Sequence, residues 1–341
     1  MRGLTRGVSA TRTRAAGARR ARRCAPPALA LAGALTLSGC GLVSGSPMTD
    51  SLRPGKIGKG KPLKGAELTV TSKEFTEQIV LGQIMGIAFK AAGAEVVDRT
   101  SIQGSIGARE AVRSGTADGM YEYTGTSWIT YLGHTKPIVD PHKQWEAVRD
   151  EDAREGLTWL PPSSLDNTYA IAVNEQVQKK YDVHTLSDMA KLEKEDPSAV
   201  TVCSENEFAS REDGLRGMAR AYGMKIPSSQ VSKMSGGVVY TQTAAGTSCN
   251  FGEVFMTDGR IKALDLKLLE DDRKFFPNYN AAPEINTATL KRYPQIREVL
   301  APVTKKLDND VAQELNARVD VDGEDPHTVA LDWMKEEGFI G

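Results

Sequence analysis

Aromatic residues make up only 6% of the 341-residue chain, yet several stand where short apolar runs give way to turn chemistry. These are Tyr121 and Tyr123 in MYEYTGT, Tyr169 in DNTYAIAV, Phe255 in FMTDG and Tyr279 in PNY. Similar positions carry the cations Lys73 and Arg211 and the hydroxyls of Thr124 and Thr126. No nucleophile–base pair stands out among them. The four histidines (134, 142, 184, 327) are scattered, and no Cys/His spacing suggests zinc. The chemistry these residue types suit is binding. A quaternary ammonium has no N–H to donate, so a carboxylate cannot hydrogen-bond it directly. An aromatic face attracts it through the ring quadrupole, at roughly 0.5–2 kcal/mol per face. Arg and Lys would hold a carboxylate at the other end, Arg through a bidentate fork. Plainer readings stay open. Tyr123 and Tyr169 can be ordinary half-buried strand tyrosines. Lys73 can be a solvated lysine at a helix start, and Arg211 can pair only with Glu207 or Asp213.

The elements that must position these residues follow from periodicity. ELTVTS (67–72) reads as a strand, and KEFTEQIVLGQIMGIAFKAAG as a helix stopped by Gly93. EVVDRT, GSIGAREAVRSG and ADGMYEYTGT continue as strand, helix and strand. TYAIAVN (168–174) is a further strand, and a second round then runs from AVTVCSE to CNFGEVFMTDG. Three helical segments close the chain. Two β-α-β-α-β rounds predict two α/β lobes with largely parallel sheets and a cleft between them. Ligands of open α/β sheets bind at the carboxyl ends of strands, where MYEYTGT, SENEFASR and FMTDG fall.

TSKEFTEQ (71–78), EYTGT (122–126), EFASR-x-DGL (207–215), TDGRIKALDLKLLEDD (257–272) and PNY (277–279) resemble the glycine betaine/choline/carnitine-binding proteins of osmoprotectant ABC importers. The resemblance extends from about Glu67 to the C-terminus. It implies a type II periplasmic-binding-protein fold whose lobes close on the ligand. It implies an aromatic cage of Tyr123, Tyr169, Phe255 and Tyr279, with Lys73, Thr126 and Arg211 as carboxylate anchors. Tyr121, Asn167 and Glu207 would stand behind them. Two residues depart from the family pattern: Phe255 replaces the usual tyrosine and loses its hydroxyl, and Asn167 replaces an acidic residue. The implied boundaries are a first lobe from 66–167 and 280–341 and a second from 168–279. Binding rather than catalysis is expected, with no cofactor, and ABC permease subunits as partners. Choline, carnitine and ergothioneine are the rival ligands. An enzyme or a sensor domain on the same fold is the rival class.

Residues 1–39 read as a lipoprotein signal peptide. They hold eight arginines and no acidic residue, then an apolar run from Ala28 to Leu37. Leu37-Ser38-Gly39-Cys40 resembles a lipobox, so Cys40 is the expected lipidation site and the membrane contact. The expected location is the outer face of a bacterial cell membrane. Residues 40–65, rich in Gly, Pro, Ser and Lys, read as a flexible linker. Cleavage would leave 35 basic and 44 acidic residues, a net charge of −9. That balance argues against nucleic acid as a partner. Of the remaining cysteines, Cys203 and Cys249 sit in strand-like stretches where either a disulfide or buried thiols are possible.

Overall fold

The protein is described by a computed structural model over residues 45–341. The expected signal segment and Cys40 lie outside the described residues. Eleven strands are described: β1 (Ser46–Pro47), β2 (Glu67–Lys73), β3 (Glu95–Ile102), β4 (Gly119–Tyr123), β5 (Leu157–Trp159), β6 (Tyr169–Val173), β7 (Val202–Ser204), β8 (Val231–Lys233), β9 (Phe251–Phe255), β10 (Lys267–Leu269) and β11 (Ala281–Asn286). They form two sheets, ordered β1-β3-β2-β4-β11-β5 and β10-β6-β9-β7-β8. Each has a parallel trio, β3-β2-β4 in the first and β8-β7-β9 in the second. The strands on which the chain enters the second sheet and returns to the first, β6 and β11, are antiparallel to their neighbours. The sheets are therefore less uniformly parallel than the alternation of elements predicts. The architecture is a two-lobed type II periplasmic-binding-protein fold.

The helix Thr76–Ala91 shows why the first lobe is stable around the site. Almost every side of it is buried, between the sheet and the C-terminal helices Asn309–Asp320 and Pro326–Glu336. A helix covered on all sides belongs in a core. Its buried polar residues have partners: Gln78 donates to the Tyr121 carbonyl at 2.9 Å, and Gln83 to Asp98 at 2.6 Å. Asp308 and Asp325 start the two covering helices by accepting backbone N–H groups of Val311 and Thr328.

Residues 45–65 differ from the flexible linker expected. β1 pairs antiparallel with β3, and Pro54 bridges to Ile340. Gly55 and Ile57 donate to the Phe339 carbonyl, and Leu63 to that of Ala92. Met48, Ile57 and Leu63 are buried. Three isolated apolar anchors joined by turn glycines (58, 60 and 65, all at positive φ) make a strap, and their spacing leaves no periodic signal. In the second lobe Cys203 and Cys249 are joined in a disulfide, their Cα atoms 5.6 Å apart. The bridge closes a 46-residue separation, for which loop-closure entropy gives about 4 kcal/mol.

Candidate ligand site

Register brings the aromatic strand ends together. Tyr169 opens β6 and lies directly opposite Phe255, which ends β9. A directly opposed pair puts side chains in contact, and the two rings are 5.1 Å apart. Tyr123 ends β4 opposite Ala281, so Tyr279, two residues earlier, arrives against Gly125 in the turn that follows Tyr123. Tyr279 meets Tyr169 edge-on at 5.3 Å. Phe208 and Phe276 complete the group around Tyr169, at 4.7 and 6.1 Å. Tyr123 joins only through Phe75, which stacks on Tyr123 at 6.2 Å and on Phe255 at 5.2 Å.

A cleft of about 760 Å³ lies against this group. The first lobe contributes Lys73 to Glu77 and Gln103 to Ser105, and the second Glu205 to Glu207, Met234 to Gly237 and Phe255. Of the expected cage, Phe255 lines this cleft. Tyr123, Tyr169 and Tyr279 stand behind it with their rings against other rings; Tyr169 lines a second cavity of about 640 Å³ on the far side of the aromatic group. Thr126 is buried in the turn after β4, away from the cleft lining.

The two cationic anchors of the expected three are buried and already paired. Lys73 Nζ is 2.6 Å from Glu122 Oε1 and 5.0 Å from the Tyr123 ring centroid. The Arg211 guanidinium spans two carboxylates: Nε donates to Asp213 at 2.7 Å and Nη1 to Glu207 at 2.8 Å, with a further Nη2 contact to Asp213. It also lies 5.8 Å from the Tyr169 ring. Burial disfavours the Arg211 charge, but Tyr169 and Asp213 outweigh it and raise its pKa well above the ordinary value. Glu207 is penalised by burial, yet Arg211 and Lys73 hold its carboxyl below the usual range. The same carboxylate accepts from Ser105 Oγ at 2.6 Å and Ser105 N at 3.2 Å, tying the second lobe to the first. Arg260 and Asp320 pair across the lobes at 3.3 Å.

Asn167 has a role that an ionised acid could not fill. Its Nδ2 donates to Glu77 Oε1 and to Thr257 Oγ1, each at 2.9 Å. Glu77 also accepts from the Tyr123 hydroxyl at 2.6 Å and from Asn316 at 3.1 Å. Burial raises the Glu77 pKa despite these donors. Glu77 thus fixes the Tyr123 ring, and Asn167 carries the connection on to Thr257 of the second lobe. The missing Phe255 hydroxyl leaves an unsubstituted ring, stacked within 15° of parallel on Phe75. Tyr121 is not part of this group; its hydroxyl bonds Thr304 Oγ1 at 2.8 Å in the first-lobe core. Sequence reasoning missed Phe75 and Glu77, although both lie in TSKEFTEQ. An aromatic and an acid beside a strand-end cation were the available signal.

Among the described residues no group of His, Cys, Asp or Glu has the arrangement of a metal site, and no helix is long and apolar enough to cross a membrane. The family model for the substrate-binding domain of ABC-type glycine betaine transport systems matches residues 66–336. A glycine-betaine-binding protein of Pseudomonas aeruginosa is 35% identical over 278 residues, covering 80% of this chain and 88% of that protein. The glycine betaine-binding protein YehZ of Escherichia coli is 32% identical over 285 residues, covering 82% and 93%. Its solved apo form superposes with a TM-score of 0.60, covering 81% of this chain and 100% of that one. A solved glycine betaine/carnitine/choline ABC transporter protein gives 0.65 at 26% identity, covering 80% and 99%. The chain therefore belongs to the family of substrate-binding domains of ABC-type glycine betaine transport systems.

Proposed function

We propose that this protein captures a quaternary-ammonium zwitterion, glycine betaine or a related betaine, outside the cytoplasm and delivers it to an ABC permease. The observation that carries this reading is the pairing of aromatic faces with cations. Lys73 stands 5.0 Å from the Tyr123 ring, and Arg211 stands 5.8 Å from the Tyr169 ring. A zwitterion would offer its ammonium to such faces and its carboxylate to Lys73 and Arg211. Choline has no carboxylate and would leave both cations to their present partners. The protein would bind and release without transforming its ligand. The cleft, about 760 Å³, lies within the range of about 300–1,000 Å³ typical of small-molecule sites and favours a larger betaine as the second reading. Carnitine and ergothioneine are of that kind. A thermal-shift screen of the mature protein with glycine betaine, proline betaine, carnitine, choline and ergothioneine tests the proposal. Binding raises the melting temperature by mass action, so betaines are expected to raise it above choline. No shift with any of them contradicts the reading.

Attachment through a lipid on Cys40 follows from the lipobox resemblance. The strap is fixed to β3 from Ser46 onward. The five residue steps from Cys40 to Gly45 reach at most about 18 Å. The first lobe would therefore be held close to the bilayer, on a much shorter leash than the sequence implies. Cys40→Ser should release the protein from the membrane fraction; retention there would rule out this anchor.

A further inference from the structure

We infer that Phe75 is a gating ring that occupies the cation position between Tyr123 and Phe255, and that a quaternary ammonium must displace it to bind there. This rests on the proposed function of the site. Phe75 lies nearly parallel to both neighbours, 19° from Tyr123 and 15° from Phe255, with centroids 6.2 and 5.2 Å away. A cation must lie within about 6 Å of a ring centroid to gain from it. The Phe75 ring, 5.2 Å from Phe255 and 6.2 Å from Tyr123, takes up space that a cation serving both rings would need.

Phe75 is not arranged as a further wall of the cage. A wall keeps its face free for the cation, whereas the Phe75 ring is already stacked on two neighbouring rings. The ring also has somewhere to go. Phe75 sits in the two-residue turn between β2 and the helix Thr76–Ala91, is half-buried and borders the cleft. Rotation of its side chain would carry the ring into that space and uncover two faces. Tyr123 would keep its orientation, because its hydroxyl is held by Glu77 rather than by Phe75.

Displacing the ring sacrifices two stacked contacts, so the intrinsic affinity of the cage is reduced by the fraction of time the ring is out. Removing the ring should remove that cost. Calorimetry with glycine betaine on wild type, Phe75→Ala and Phe255→Ala tests this. Phe75→Ala should bind about threefold to tenfold more tightly, whereas Phe255→Ala, which loses a cage face, should bind more weakly. Phe75→Leu keeps apolar volume without a stacking plate; it should tighten binding in the same direction and serves if the alanine variant does not fold. Weaker or unchanged binding in the Phe75 variants overturns the gate while leaving the ligand assignment standing. Absence of binding in wild type to glycine betaine and to the other betaines overturns the ligand assignment and the gate with it.

Discussion

At the scale of single residues, the polar groups beneath the rings are as telling as the rings. Glu253 on β9 is buried, and its Oε2 accepts from Ser204 Oγ and Glu205 N, each at 2.8 Å. Its Oε1 has no hydrogen-bond partner among the described residues. Burial, and then the charge of Glu205, push the Glu253 carboxyl up to about 8. The folded protein thus holds a proton that the unfolded chain releases near its ordinary pKa of about 4.3. The stabilisation is fully present below that value and is lost as pH rises through about 8. Glu253→Gln should therefore gain stability relative to wild type between pH 5 and pH 8.5 in chemical denaturation. A stability difference that stays constant across that range would show Glu253 ionised in the fold. Residue identities were partly legible in advance. Tyr169 is in contact with both Phe255 and Tyr279, each picked out in the sequence at the end of an apolar run. Phe75 and Glu77 were not found, because a phenylalanine beside a helix start reads as core and a first-turn acid as a helix signal. Arg211 takes its plainer reading in the fold: it pairs with both Glu207 and Asp213.

At the scale of elements, the crossing segments between the sheets decide the geometry. Asp166 and Asn280 bridge antiparallel, and Asn167 N donates to the Tyr279 carbonyl. The crossings before β6 and β11 therefore brace each other while delivering Tyr169 and Tyr279. EYTGT fits against them through Gly125, which does not adopt positive φ. A Cβ there would meet the Asn278 carbonyl oxygen and Tyr279 Cδ1, both at 2.7 Å. The glycine serves close approach to PNY, joining two motifs more than 150 residues apart. Gly125→Ala should destabilise by about 1–3 kcal/mol through overpacking and weaken ligand binding by shifting Tyr279. Unchanged denaturation and affinity would show that the turn relaxes freely. Helices and central strands were legible because each carries its own period. The strap over 45–65 and the Cys203–Cys249 bridge were not, since both depend on contacts distant in sequence.

At the scale of the whole molecule, the lobes meet through the Phe75–Phe255 stack and through polar contacts around the cleft. Glu207 reaches Ser105, Arg260 reaches Asp320, and Asn316 donates to the Thr257 carbonyl at 2.9 Å. Polar contacts of this kind part more readily than a large apolar interface, as lobes closing on a ligand would require. Glu207 joins one such contact to Arg211, so a ligand carboxylate drawing Arg211 away would also be felt at the rim. The two-lobed architecture was legible from the repeated alternation of strands and helices. The relation of the expected cage residues to the cleft was not, because it is set by which rings interleave. The central claim is that a quaternary ammonium is held by the aromatic group around Tyr169. Calorimetry of Tyr169→Leu with glycine betaine tests it most directly. An affinity at least about tenfold weaker, in a protein that still unfolds cooperatively, is the predicted result; an affinity equal to wild type would contradict the account.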